Sequence, residues 1–234
     1  MDTDEVKRIL GIQAVDTLVK SGMRLGLGTG STAIHAVHRV GELLKKGTLR
    51  EIVAVPTSFQ TVVACRQLGI SLTTLNDPPV NGRLDLTIDG ADEVDPQWNL
   101  IKGGGAAMLI EKVVAHASQQ YCIIVHSSKL ASRLGETVPV PVEIVPEALV
   151  TASRQLEALG GRVELRMAVK KAGPVISDHG NFVLDVSFSE PFDPRKMEAE
   201  IMMIAGVTAN GIFTRPVSDL FVGYADGRVE HKNK

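Results

Sequence analysis

The chain is short of sulfur, aromatic rings and surplus charge, and each shortage removes a class of protein. Its 234 residues contain only two cysteines, Cys65 and Cys122. Two well-separated thiols give no disulfide framework and fit a reducing compartment, so a cytoplasmic location is expected. Neither thiol has the Cys-x-x-Cys or Cys–His spacing of redox or nucleophilic sites. One Trp, two Tyr and six Phe make aromatics 4% of the chain, and 25 Lys+Arg against 27 Asp+Glu leave a formal net charge of −2. Nucleic-acid surfaces need clustered cations, so no nucleic-acid partner is expected. Apolar runs such as Ile201–Ala205 fall far short of the ~20 residues that span a bilayer. The opening Met1–Arg8 is acidic and has no apolar stretch, so neither a secretory signal nor a membrane association is expected.

What is present is an ordinary globular composition, 44% hydrophobic and 22% charged, at a length that suits one or two domains. From residue 6 to about 130, short apolar runs alternate with helical periodicity. Helices are expected at Val6–Lys20, Ala33–Lys45, Thr57–Leu68 and Ala106–His116. Strands are expected at Met23–Leu27, Ile52–Val55, Leu84–Ile88 and Tyr121–Val125. Strands separated by 10–15-residue helices imply right-handed βαβ units around a parallel sheet. The period then changes. Strand Val138–Val145, helix Pro146–Leu159, strands Arg162–Met167 and Phe182–Phe188, helix Pro194–Ile204 and strand Val207–Phe213 follow the order of a ferredoxin-like split βαβ unit. The tail Ser218–Glu230 has strand character around an Asp226-Gly227 turn, and is expected to return to the first sheet. The expected fold is therefore α/β: a Rossmann-like, mostly parallel sheet lobe (1–135 plus 208–234) with a smaller ferredoxin-like α+β lobe (136–207).

Four segments can carry chemistry. Gly26-Leu-Gly-Thr-Gly-Ser-Thr-Ala33 joins a strand to a helix, where glycines and the helix N-terminus direct N–H groups at an anion. The bland alternative is a tight turn capped by Ser31 or Thr32. Ser31 stands where a dinucleotide fingerprint needs its third glycine, and Pro56-Thr57-Ser58 replaces the acidic ribose contact, which disfavours a nicotinamide dehydrogenase. Asp89 and Asp92 lie three apart at the carboxyl end of a strand, where parallel α/β sheets place ligands; the pair suits acid–base work as well as it suits a turn and a cap. Lys102-Gly-Gly-Gly105 opens a helix bearing Glu111. Consecutive glycines cost order at ~0.5–1 kcal/mol each, Lys102 can neutralise an oxyanion, and Glu111 lies among apolar neighbours; a solvated Glu111–Lys112 face is the alternative. His126-Ser-Ser-Lys129 brings a cation past another strand, or simply a surface lysine. His35 and His38, three apart on a helix, have no third metal ligand nearby in sequence.

Taken in order, Gly28-Thr-Gly-Ser-Thr32, Asp89-Gly-Ala-Asp-Glu93, Lys102-Gly-Gly-Gly105 with Glu111, and Ser128-Lys129 resemble the ribose-5-phosphate isomerase type A family. The likeness runs from about residue 6 to about 228 and takes in Pro56-Thr-Ser-Phe59, Leu134-Gly135, Val142-Glu-Ile-Val-Pro146, Gly160-Gly161 and Asn181 through Asp185. The resemblance implies interconversion of D-ribose 5-phosphate and D-ribulose 5-phosphate in the non-oxidative pentose phosphate pathway, with no cofactor and no metal. It implies Glu111 as the base, with Asp89, Asp92 and Lys102 in the catalytic set. The substrate contacts it implies are Thr29, Gly30, Ser31, Thr32, Asp89, Gly90, Ala91, Asp92, Lys102, Gly103, Gly104, Gly105 and Lys129. It further implies a homodimer or homotetramer, and a phosphate contact from Lys7 or Arg8, with spacing favouring Arg8. His126 stands where the family usually has Asp, and His179 where it commonly has Asn. A non-catalytic sugar-phosphate sensor is the competing class of function.

Overall fold

Short β-branched runs ended by glycine or proline, alternating with apolar stripes at helical spacing, build the first of two units seen in a computed structural model that describes residues 1–234. This unit comprises Met1–Ala91, Val113–Lys129 and Pro216–Lys234. Its seven-stranded sheet runs in the order Val229–Asn233, Asp219–Gly223, Ser118–His126, Leu84–Asp89, Arg24–Leu27, Val53–Pro56, Ser71–Leu72. Every neighbouring pair is parallel except the terminal Asp219–Gly223/Val229–Asn233 hairpin. Central strands such as Leu84–Asp89 are buried along most of their length, as expected of a parallel sheet covered on both faces. Helices Thr3–Leu18, Gly30–Lys45 and Phe59–Gln67 supply apolar stripes to a core containing Leu10, Leu27, Val37, Leu86, Ile124 and Phe221. The sheet edges are modest: Ser71–Leu72 is two residues long, and Val229–Asn233 carries Glu230, His231 and Lys232.

The second unit comprises Asp92–Lys112 and Leu130–Arg215. Its four-stranded sheet has the order Val207–Asn210, Val140–Ile144, Phe182–Phe188, Gly161–Leu165, antiparallel throughout. With helices Leu149–Ala158 and Pro194–Met202 between strands, this is the split βαβ arrangement the element order implies. Asp193 caps the second helix by accepting from the Lys196 N–H at 2.9 Å, and Pro194 fits its first turn. Val142, Ile144, Leu156, Leu184, Val186 and Ile201 form the core. The chain is thus mixed α/β, with a mostly parallel sheet in one unit and a small antiparallel sheet in the other.

Three features depart from the sequence reading. A further sheet of two-residue strands, Ile212–Phe213, Leu100–Ile101 and Glu93–Val94, lies in the second unit; strands this short show no periodicity. The second unit takes in 92–112, 130–135 and 208–215, all expected with the first lobe. The buried Glu93 carboxylate reinforces the grouping by accepting from the Gly135 N–H and from Thr137. The single strand expected at Val207–Phe213 is broken at Gly211, whose N–H bonds Pro141 O at 2.7 Å and whose carbonyl accepts the Lys102 N–H at 2.9 Å. The helix expected from Pro146 opens with a 3₁₀ turn, Pro146–Ala148, and becomes α-helical at Leu149.

Candidate active site

In the first unit the strand Arg24–Leu27 ends in the glycine-rich turn, and Gly28 lies hard against the neighbouring strand. A Cβ built there would come 2.0 Å from Asp89 Oδ1, so only glycine fits. Asp89 is fully buried. Its Oδ1 accepts the Thr29 N–H at 3.1 Å and the Gly90 N–H at 2.8 Å, tying two predicted segments together. The Thr29 hydroxyl donates to Ser58 Oγ at 2.6 Å and lies 2.7 Å from Thr57 Oγ1, while the Gly30 N–H bonds Gln60 Oε1 at 3.0 Å. Thr29 and Gly30 are thereby committed to the framework of the turn. The helix Gly30–Lys45 starts three residues earlier than its periodicity suggested, which puts Ser31 and Thr32 in the first turn. Amide hydrogens there have no intrahelical acceptor and favour an anion. Lys7 Nζ donates to Ser31 Oγ at 3.0 Å. Arg8, which spacing favoured, is instead held by both oxygens of Glu5, at 2.7 and 2.8 Å.

Also in this unit, Lys129 ends a short 3₁₀ turn, Ser127–Lys129, after the strand Ser118–His126. His126 Nδ1 accepts the Ser128 N–H at 3.1 Å, so a neutral ring carries its proton on Nε2. A cleft of about 600 Å³ is lined by Arg8, His35, His38, Arg39 and Leu68, among others; of the residues expected to contact substrate it holds Arg8 alone. Arg39 in this cleft is anchored by Asp16 and Glu42, and the bonds from Lys46 and then Arg39 hold Glu42 down at a pKa of about 2. His35 and His38 gather no third metal ligand. Both cysteines are buried and free, and burial pushes the Cys65 thiol up to about 11, which leaves it inert as a nucleophile.

The second unit holds a charged cluster of its own. The strand Leu100–Ile101 delivers Lys102, and Glu111 projects from the first turn of the helix Met108–Ala117. Their side chains meet, Lys102 Nζ to Glu111 Oε1 at 3.0 Å, with the residues only 2% and 5% exposed. Charges so placed interact strongly because little water screens them. Lys102 is held from behind as well: its amide bonds Gly211, and the Phe213 ring centroid lies 5.7 Å from its ammonium, within cation–π range. Lys112 flanks the same ring at 4.5 Å and is bonded to Glu198.

Between Lys102 and the helix runs the triple-glycine turn. Gly103 has φ +100°, and a Cβ there would collide with Met108. The Gly104 N–H donates to Asp92 Oδ2 at 2.8 Å, while Asp92 is fixed by its own N–H to Ile101 O at 2.8 Å. Ala106 also has a positive φ, 58°, a region that strains a residue with a Cβ; its N–H bonds Gly103 O at 2.9 Å. The cluster therefore offers a buried carboxylate, a buried ammonium, a second carboxylate and a fixed run of backbone amides.

Of the predicted residues, the first unit groups Thr29, Gly30, Ser31 and Thr32 with Asp89 and Gly90, and also holds Ala91 and Lys129. The second groups Lys102, Gly103, Gly104, Gly105 and Glu111 with Asp92. Residue type and spacing did not single out the hydroxyls of Thr57 and Ser58, within the Pro56-Thr-Ser segment, or that of Thr61 in the helix that follows. Nor did they single out Phe213 and Arg166. Arg166 carried no local signal, because Arg162 and Glu164 charge the same strand and its partner Asp185 is distant in sequence.

A family model described as ribose 5-phosphate isomerase A (phosphoriboisomerase A) matches residues 53–227. A ribose-5-phosphate isomerase A of Treponema denticola is 46% identical over 98% of this chain and 99% of its own length. Another, of Thermosynechococcus vestitus, is 50% identical over 94% of this chain and 91% of its own. The solved structure of a D-ribose-5-phosphate isomerase in complex with phospho-erythronic acid has a TM-score of 0.95, with 38% identity and 100% of both chains covered.

Proposed function

Because the chain belongs to the ribose 5-phosphate isomerase A family, we propose that it interconverts D-ribose 5-phosphate and D-ribulose 5-phosphate by proton transfer through a cis-enediolate. The observation that carries this reading is the buried Lys102–Glu111 pair beside the triple-glycine turn. An aldose–ketose isomerase needs one carboxylate to move a carbon-bound proton, and donors or a cation for the oxygens that gain charge. In the aldose-to-ketose direction Glu111 takes the proton from C2, and the electrons of that bond form the C1–C2 double bond as the C1 carbonyl oxygen becomes the oxyanion. The C2 hydroxyl then yields its proton to the C1 oxygen, the double bond collapses toward C1, and Glu111 returns its proton there, leaving a C2 carbonyl. Lys102 and the Gly103 and Gly105 amides stabilise the enediolate oxygens, while the Gly104 amide holds Asp92. Asp89 and Asp92 handle hydroxyl protons and opening of the furanose ring.

Phosphate is assigned to Ser31, Thr32, Lys7 and Lys129, with Thr29, Gly30, Gly90 and Ala91 completing the substrate contacts. Anchoring that remote group fixes the reacting end of the sugar. The solved relative's ligand, phospho-erythronic acid, likewise joins an acid group to a phosphate, which supports the class of substrate. The reading also includes activity without a metal, a place in the non-oxidative pentose phosphate pathway, a cytoplasmic location and assembly as a homodimer or homotetramer.

Lys7 and Arg8 separate cleanly in a test. A charge-assisted hydrogen bond contributes about 1.5–3 kcal/mol, so Lys7→Ala is expected to raise KM and the inhibition constant of inorganic phosphate roughly 10- to 100-fold. Arg8→Ala, whose guanidinium is occupied by Glu5, leaves both near the parent values. Steady-state kinetics on the two variants decide the assignment.

The activity itself is tested by incubating EDTA-treated protein with ribose 5-phosphate in D₂O. Ketose carrying carbon-bound deuterium is the expected product. Saturable phosphosugar binding without turnover would overturn the isomerase in favour of a sensor. Turnover that requires added metal and proceeds without solvent exchange would replace proton transfer with a hydride shift.

A further inference from the structure

Arg166 follows the strand Gly161–Leu165 and is pinned through its backbone, its N–H to Val183 O at 2.9 Å and its carbonyl from the Val175 N–H at 2.8 Å. Its guanidinium makes four hydrogen bonds. Nε and Nη2 grip the two oxygens of Asp185 at 2.8 and 2.5 Å, while Nη1 bridges two successive glycine carbonyls, Gly103 O at 2.9 Å and Gly104 O at 3.1 Å. Gly103 O accepts the Ala106 N–H as well, so both its lone pairs are used.

A trans peptide is planar, with carbonyl and N–H opposed. Fixing Gly103 O fixes the Gly104 N–H, and fixing Gly104 O fixes the Gly105 N–H. One side chain therefore sets the direction of two consecutive amides in a segment whose three glycines have no conformational preference of their own. The first of those amides is directed at Asp92.

We propose that Arg166 is a positioning residue for the isomerisation: it never touches the sugar, but clamps the triple-glycine turn so that the Gly104 amide holds Asp92 and the Gly105 amide faces the developing enediolate. This rests on the reading of that turn as the oxyanion site. An arginine is required because lysine, a point charge without a planar fork, cannot hold a carboxylate bidentately and reach two carbonyls at once.

The test compares Arg166→Met and Arg166→Lys with the parent by steady-state kinetics and by NMR of ¹⁵N-glycine-labelled protein. Misplacing a stabilising group by about an ångström costs on the order of 100-fold. Arg166→Met is therefore expected to lose roughly 10- to 100-fold in kcat with KM near the parent value. The signals of Gly104 and Gly105 shift and their amides exchange faster, and guanidinium ion below denaturing concentration, but not sodium chloride, restores part of kcat. Arg166→Lys falls between, and gives the same comparison should the Met variant not fold. Parental kcat with unmoved glycine signals, or a loss of thermal stability alone, overturns the proposal. Moved glycine signals in a protein whose parent does not isomerise the sugar would sustain the clamp while refuting the isomerase reading.

Discussion

Glu111→Gln is expected to lower kcat by roughly 10²–10⁴-fold, the range a general base contributes, while KM and inhibition by inorganic phosphate stay near their parent values. The substitution keeps the size of the side chain and an oxygen at the position that accepts from Lys102 at 3.0 Å. What it removes is the negative charge and the basicity. The phosphate contacts assigned to Lys7, Ser31 and Thr32 lie on other elements, the helices Thr3–Leu18 and Gly30–Lys45, so anchoring of the substrate is preserved. Isotope exchange between substrate and solvent should fall in parallel with kcat, because both require the same proton abstraction. A variant with undiminished kcat would take Glu111 out of the role.

Lys102→Met is expected to affect stability and rate together. It leaves the Glu111 carboxylate, 5% exposed, without its cation, and breaking a buried pair from one side costs about 3–5 kcal/mol. Loss of a preorganised group for the enediolate adds roughly 10²–10³-fold in kcat. The double variant Lys102→Met/Glu111→Gln separates the two effects. With no charge left to strand, denaturant unfolding should show much of the lost stability restored, whereas activity stays at the floor. A double variant no more stable than Lys102→Met alone would mean that the pair contributes to folding chiefly through packing against Phe213.

The candidate site was legible in the sequence where it depends on residue type and short spacing. Three consecutive glycines, an Asp-x-x-Asp after a strand, and a glutamate in an apolar helical turn each have few structural uses, and the glycine-rich turn announces itself by what it cannot tolerate, a Cβ at Gly28 or Gly103. The alternation of strands and helices was legible for the same reason, since period and breakers are local. What stayed hidden depends on residues far apart in the chain. The three two-residue strands are held by pairing between 100–101 and 212–213, which no window of sequence contains. That pairing is why 92–112 group with 130–215. Lys7 and Arg8 are adjacent, and only the helix's rotation decides that one meets Ser31 while the other meets Glu5. Arg166 and Asp185 lie nineteen residues apart, and their pairing follows from the register of two strands, which hydrophobic pattern specifies only to within a face.

The two margins of the large sheet set a boundary on how copies of this chain can meet. A two-residue strand exposes too few free amides to template a neighbour, and a margin bearing Glu230, His231 and Lys232 has the charged, polar composition that discourages strand addition at an edge. Self-association by continuing this sheet from one subunit into the next is therefore disfavoured, and a stable oligomer must be cemented by side-chain surfaces instead. Loss of those terminal charges, by truncation or neutral substitution, would lift the guard and open a route to fibrous aggregation that the intact chain keeps closed.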